Sequence, residues 1–448
     1  MNKRKGLHIM DILRDDVKQL FIKFLVPAIG SALVVTAYSF VDTIAIGQGV
    51  GPDGTAACAV ILPIFCLAEF LGLMSGIGGS ILFIRARGSG KEAESNMYFT
   101  SALIAGGILM ALAWILLLVF QEPFYRLYGA DDTIIPYALE YGGLIIGAFP
   151  LFVLSPLLAG FIRNDGAPKR VLAASLAGAA TNIFGDWFFV FPMGMGMFGA
   201  ALATVLGALL QSSVLVTYFF SKKCTAKPVR PKNVAANIRR ILSNGFGTGL
   251  AQLSVIAVTF AANNQIMRYS DASALAVYGV MGTIASLFTH IFSGIGQSAQ
   301  PIASGSYGAG MIKRCWQACS IGIKYAVLMG VIFTGACMLF PAQITSVFVK
   351  ATPEIIETAT FGMRVYAVSF IFLGINTFLS IYLQSIMRAR SAAVIALMRG
   401  FILICGLLAV LPAIFGANGV WYAFAASDTV VAVFAVIYTV RLRKRAGY

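Results

Sequence analysis

Four carboxylic acids fall within long apolar stretches of the chain: Asp42, Glu69, Asp186 and Asp428. A charge in hydrocarbon is costly, so an acid there either has a structural partner or acts on an ion or a proton. Asp42 and Asp186 each carry a polar residue four positions earlier, Tyr38 and Asn182, on the same helix face. Two carboxylates, an amide and a phenol in low dielectric can take up a proton, because burial and a nearby like charge favour the neutral acid. They can equally offer hard oxygen ligands to Na+. The alternative is two unrelated helix-packing contacts. Asp428 has a candidate ion-pair mate in Arg399. Glu69 has no evident mate and is a candidate to face a central cavity and attract cations.

Other chemistry is poorly represented. Gly88-Ser89-Gly90-Lys91 resembles a phosphate loop, but Glu92 stands where Walker A needs Ser or Thr, and position 85 is Arg. ATP hydrolysis is not expected. The two histidines, His8 and His290, cannot build a metal site with scattered cysteines, and His290 reads as a structural polar contact. No metal is expected beyond Na+ at Asp42 and Asp186, and no cofactor. The seven cysteines, Cys58, Cys66, Cys224, Cys315, Cys319, Cys337 and Cys405, show no CxxC and read as small apolar residues. Neither GxSxG nor HExxH occurs.

The elements that carry these residues follow from composition. Of 448 residues, 59% are hydrophobic and 11% charged, with mean hydropathy +0.85. Soluble domains carry about 25% charge. A soluble enzyme, a disordered chain and a nucleic-acid-binding domain are therefore excluded. The net charge of +15 fits basic loops beside a bilayer. Apolar runs of about 20 residues or more suit helices crossing roughly 30 Å of hydrocarbon, not the short alternating strands of a barrel.

Twelve spans are predicted, roughly at 20–46, 55–84, 97–119, 134–158, 170–191, 198–220, 241–267, 273–302, 317–340, 354–387, 391–415 and 418–440. The longer ones require tilt or kinking. Lys and Arg concentrate at the termini and in alternate connections: 28 lie on one side, counting Arg399, and three (Arg126, Arg268, Lys350) on the other. This orientation places both termini in the cytoplasm. Met1–Asp16 is polar and charged and the first apolar run is too long for a signal h-region, so no cleavable signal is expected.

The longest basic connection, 221–240, divides the chain into halves, 1–220 and 241–448. Ser75-Gly76-Ile77-Gly78-Gly79-Ser80 recurs as Ser293-Gly294-Ile295-Gly296-Gln297-Ser298, and Asp53 and Ala56 match Asp271 and Ala274 at the same 218-residue offset. Two copies of six spans are related by an axis along the membrane normal, with substrate expected between them. Pro27 lies on the span of Asp42, where its missing N–H weakens the helix, as a bending element or a passive kink. Gly72–Gly76 and Gly245–Gly249 read as packing faces.

In order and spacing, these residues resemble the multidrug and toxic compound extrusion (MATE) family, bacterial multidrug branch, over about residues 15–442. The carriers are Pro27; Tyr38-Ser39-Phe40-Val41-Asp42-Thr43 with Gly47; Pro63; the Gly-rich stretch Gly76 to Gly88; Asn182-Ile183-Phe184-Gly185-Asp186; Gly199-Ala200-Ala201-Leu202-Ala203-Thr204; Ala303-Ser304-Gly305-Ser306-Tyr307-Gly308-Ala309-Gly310; and Gly419-Val420-Trp421-Tyr422-Ala423. The resemblance implies an all-α integral membrane fold of two six-helix lobes around a central cleft. It also implies export of organic cations and amphipathic drugs in exchange for H+ or Na+, across a bacterial inner membrane. It assigns cation coupling to Tyr38, Asp42, Asn182, Asp186 and Thr204, and bending to Pro27. Some relatives place carboxylates on spans 7 and 10. Here those spans offer Gln252, Asn263, Asn264, Asn376 and Gln384, with acids only at Glu354 and Glu357, so coupling through the N-terminal lobe is favoured. Glu69, Gln252, Asn263 and Asn376 are the substrate-cleft candidates. The expected partners are small amphipathic or cationic molecules and the bilayer, not nucleic acid, with the chain a monomer. The alternatives are a lipid-linked saccharide flippase, which would favour a cavity rich in Arg, and an integral-membrane enzyme, which would need a nucleophile or metal constellation.

Overall fold

The computed structural model describes residues 12–270, 272–348 and 353–446. His8, Asp271 and Lys350 lie outside the described residues, as does the Glu354 side chain. Among the described residues all regular structure is helical. In chain order the helices are α1 (Val17–Gly49), α2 (Pro52–Gly88), α3 (Glu92–Val119), α4 (Gln121–Leu127), α5 (Ile135–Gly147), α6 (Phe149–Asn164), α7 (Pro168–Gly185), α8 (Gly196–Val216), α9 (Val234–Tyr269), α10 (Ala272–Gly308), α11 (Ile312–Leu339), α12 (Pro341–Phe348), α13 (Pro353–Ala367), α14 (Ser369–Ser385), α15 (Ala389–Leu397), α16 (Leu403–Phe415) and α17 (Asn418–Arg445). A π-helical turn, Asp186–Val190, extends α7, and another, Met398–Ile402, joins α15 to α16.

The twelve-span pattern fits these helices. Among the described residues nine helical stretches are long and apolar enough to cross a membrane, and two bent pairs raise the number to eleven. The expected kinking appears in those pairs: α5 and α6 meet at 49°, and the α13–α14 pair bends by 40°. The twelfth span is α7 with its π turn, where Lys169, Arg170, Asn182 and Asp186 dilute the apolar signal. The short helices α4 and α12 fall in connections read as loops. Arg399 lies within a span, at the second π turn, and so leaves the set of basic loop residues.

The chain forms two compact units, one of Val26–Gln252 with the residues before Asp16, the other of Asp16–Leu25 with Leu253–Tyr448. The 221–240 connection belongs to the first unit, where side chains hold its backbone. Arg87 donates to the Thr225 carbonyl, Lys227 N–H donates to Asn96 Oδ1 at 3.1 Å, and Val229 N–H to Thr100 Oγ1 at 2.9 Å. In each unit the second span packs against the second half of the bent fourth span, α2 on α6 and α10 on α14. Small residues permit this. A Cβ on Gly76 of α2 would lie 2.5 Å from Leu157 Cα of α6, and at a separate contact one on Gly245 of α9 would overlap the Met74 carbonyl of α2, so both GxxxG pairs are packing faces.

The seven cysteines are free; Cys224, Cys315, Cys319 and Cys337 are buried and the others half-buried. His290 is half-buried on α10, but its Nδ1 has no hydrogen-bond partner, so the expected polar contact is not made there.

Candidate ion-coupling site

The site is built by close approach of α7 and α8. Their contact is lined by Gly178, Gly185, Ala203 and Gly207. A Cβ on Gly207 would sit 2.8 Å from the Gly178 carbonyl oxygen and 3.1 Å from Asn182 Cβ. Only glycine there lets the helices close far enough for Asn182 to meet Thr204. The end of α1 seats against the π turn of α7, where a Cβ on Gly49 would overlap Val190. α5 also packs on α8 and delivers Tyr141, 2% exposed, within an apolar cluster that includes Ile46, Ile145, Val190 and Ala200.

Three helices thereby bring four of the coupling candidates together. Asn182 Nδ2 donates to Thr204 Oγ1 at 3.2 Å, and Thr204 Oγ1 donates to Asp42 Oδ1 at 3.4 Å. Asp186 is completely buried, and neither carboxylate oxygen has a hydrogen-bond partner, nor does Asn182 Oδ1. Asp186 lies within electrostatic reach of Asp42. It opens the π turn, a local underwinding of the helix frequent at functional sites. The result is a set of inward oxygens with unspent acceptor capacity, which suits a proton or a small hard cation.

Tyr38 borders this set. It is half-buried, one turn before Asp42, and within electrostatic reach of both Asp42 and Glu69. Tyr141 was missed in the sequence. Its hydroxyl neighbours Thr204, and it lies in the field of Asp42 and Asp186. Nothing in its local sequence sets it apart among the 16 tyrosines of the chain; only the α5–α8 contact reveals it. Pro27 is buried in α1, which continues as a helix through it, and the Ser31 hydroxyl donates to the Pro27 carbonyl at 2.9 Å.

The remaining candidates lie elsewhere. Glu69 is exposed and does have a mate, since Gln252 Nε2 donates to its carboxylate. Asn263 is half-buried on α9 in the second unit. Asn376 is buried and donates to the Asp428 carbonyl at 2.9 Å and to Asp428 Oδ1 at 3.3 Å. Arg399 Nε meets the same Oδ1 at 2.9 Å and Arg399 Nη1 donates to Thr377 Oγ1 at 3.3 Å. Asp428 and Arg399 therefore form the expected ion pair, and Asn376 belongs to it.

The MatE family profile matches the chain twice, at residues 27–188 and 248–409, which bears out the internal repeat. The chain is 26% identical to the multidrug export protein MepA of Staphylococcus aureus over 440 residues, covering 96% of this chain and 95% of MepA. It is 25% identical to MepA of Staphylococcus saprophyticus over 432 residues, with 94% and 93% covered. A solved structure described as the outward-facing conformation of a multidrug resistance MATE family transporter of the MOP superfamily superposes with a TM-score of 0.91 at 22% identity, covering 98% of both chains. With both halves matched by the same profile and the fold shared end to end, the chain belongs to the MatE family, the multidrug and toxic compound extrusion transporters.

Proposed function

We propose that this protein is a secondary active antiporter. It exports organic cations or amphipathic drugs in exchange for H+ or Na+, through alternating access of a cleft between two six-helix lobes. The observation that carries the coupling half of this reading is the buried Asp186 carboxylate, without a hydrogen-bond partner, beside the Asp42–Thr204–Asn182 chain. A carboxylate cannot stay charged in a buried setting without compensation, so a proton or a cation completes it. Either ion would be taken up from one side and surrendered on the other. We favour H+, since a proton needs only one of the two carboxylates to be neutral.

The export half rests on family membership and on the two MepA relatives, whose names state multidrug export. The flippase alternative loses support because basic residues within the spans are few, and one of them, Arg399, is committed to Asp428. Both termini are assigned to the cytoplasm on the distribution of Lys and Arg, and the chain to the bacterial inner membrane on its family membership. Efflux of a fluorescent cation from cells making the protein, with and without an uncoupler, tests the reading. Efflux that stops when the ion gradients collapse supports it, and efflux indifferent to them contradicts it.

A further inference from the structure

Two contacts run α7 and α8 antiparallel: Asn182 meets Thr204, and Arg170 meets Thr217. At the Arg170 end, α7 opens on Pro168 and exposes Lys169 and Arg170, while a 3-10 turn, Thr217–Phe220, extends α8 and leads to exposed Lys222 and Lys223. Tyr218 and Thr225 both donate to Asp165, which holds this stretch over the α6–α7 junction. Four cations thus share one end of the pair. None of them forms an ion pair among the described residues, whereas exposed Lys91 pairs with Glu94 and Arg126 with Glu122. Asp165, the acid nearest Arg170 in sequence, is buried and engaged by Thr225 and Tyr218. Arg170 is oriented by a neutral group instead. Thr217 gives its hydrogen to the Val214 carbonyl at 2.8 Å and accepts from Arg170 Nη2. That contact uses one guanidinium donor of five and leaves the charge whole. A fixed Arg fork with donors to spare matches a phosphate.

The exposed faces of the same two helices place this end at headgroup depth. Ala173, Leu176, Ala180, Phe184 and Trp187 follow Lys169 at helical spacing along α7 and its π turn, and all are exposed. Leu209, Val216 and Phe220 form the matching exposed stripe on α8 and its extension. Apolar stripes of this length suit lipid. Lys169 and Trp187 stand 18 positions apart, a rise of about 27 Å, close to the thickness of the hydrocarbon core. Trp187 and Phe184, with ring centroids 5.9 Å apart, suit the opposite interface, where aromatic rings settle. Lys169 and Arg170 then fall at the interface that the distribution of Lys and Arg assigns to the cytoplasm. Phe220, 85% exposed, sets an apolar ring beside these cations.

We propose that this end of the α7–α8 pair is a binding site for an anionic phospholipid of the adjoining leaflet. Arg170, held by Thr217 and flanked by Lys169, takes the headgroup phosphate. Lys222 and Lys223 add to the field that draws the lipid in, and Phe220 packs along its acyl chains. A zwitterionic lipid offers the same phosphate but carries an ammonium that the four cations repel, so the site selects by net charge. A free phosphate lacks the apolar part that Phe220 receives.

The test is fluorescence anisotropy of phosphatidylglycerol and phosphatidylcholine, each labelled on an acyl chain, titrated with the purified full chain in a neutral detergent. Wild-type protein binds the phosphatidylglycerol probe about tenfold or more tightly than the phosphatidylcholine probe. Lys169→Gln with Arg170→Gln removes most of that preference. Lys169→Arg with Arg170→Lys keeps the charge and much of the preference, and guards against misfolding. Thr217→Val changes no charge but frees the guanidinium, and weakens the phosphatidylglycerol probe about threefold. Arg230→Gln with Lys232→Gln, two exposed cations of the following connection, removes as much charge and leaves the preference within about twofold. Equal losses in the two Gln double variants overturn the inference, since the preference then belongs to the basic surface as a whole. The absence of any preference in wild-type protein overturns it too. So does displacement of the phosphatidylglycerol probe by inorganic phosphate as readily as by unlabelled phosphatidylglycerol, which would mark a site for the free anion.

Discussion

The Thr204 hydroxyl donates to Asp42 across 162 positions of sequence, and so joins the first span to the sixth. Thr204 also accepts from Asn182, so one small side chain orients both a carboxylate and an amide of the candidate ion site. Thr204→Ala removes that junction. The expected cost is about 1 kcal/mol in ion binding, roughly a fivefold loss of apparent ion affinity. Thr204→Ser keeps the oxygen and retains most of it. Ion dependence of dye transport by the two variants, compared with wild type, measures the difference.

Pro27 stands 15 positions before Asp42 in the same helix. Proline cannot donate to the preceding turn, so a bend in α1 costs least there. Pro27→Ala restores the donor and stiffens the helix. Gradient-driven ethidium export falls at least about tenfold while equilibrium ethidium binding stays within about twofold, as expected when a two-state element is locked in one state. Wild-type export would identify Pro27 as a passive kink.

Asp428 and Arg399 form a mostly buried ion pair within the second unit. Removing one partner strands the other charge, at a cost of about 3 kcal/mol, whereas replacing both with apolar residues costs much less. Arg399→Leu should lower the melting temperature of the purified protein markedly, and Arg399→Leu with Asp428→Leu should recover most of it. Equal losses in the single and double variants would show that the pair is not what stabilises α15–α17.

Asp165 follows the last turn of α6 and is buried beneath the 221–240 connection, accepting from Thr225 and from the Tyr218 hydroxyl at 2.9 Å. Burial is the largest influence and raises its pKa above the ordinary carboxylate value, against the lowering effect of these donors and Arg87. The folded protein thus holds this proton more tightly than the unfolded chain. Its contribution is most favourable below the ordinary carboxylate range and declines as pH rises through the raised native value. Asp165→Asn should flatten that slope and be tolerated at neutral pH. Asp165→Ala leaves the Thr225 and Tyr218 donors buried and unpaired, costing about 1–3 kcal/mol. Thermal unfolding across pH reads both effects.

Much of this was legible in the sequence because hydrocarbon is a strict solvent. Apolar runs gave the spans, the distribution of Lys and Arg gave their expected sense, and acids inside spans marked Asp42, Asp186 and Asp428. The Arg399–Asp428 pair could be foreseen because few groups within the spans can answer a charge. Tyr141 and the Gln252–Glu69 contact could not. Each depends on which helix packs on which, α5 on α8 and α9 on α2, and on glycines whose effect is felt only across an interface. The π turn at Asp186 was equally hidden, since a local underwinding of the helix leaves no periodicity signal over five residues.

The most direct test of ion coupling through Asp42 and Asp186 uses purified protein in sealed liposomes loaded with ethidium. A pH gradient is imposed at equal Na+ on both sides, then a Na+ gradient at equal pH. Wild-type protein should move ethidium against its gradient when pH alone is imposed. Asp42→Asn and Asp186→Asn should each fall to the rate of protein-free liposomes while the protein still inserts and binds ethidium. Movement driven only by Na+ would change the ion and keep the site. Near-wild-type, gradient-driven transport by both variants would contradict the assignment of coupling to these two carboxylates.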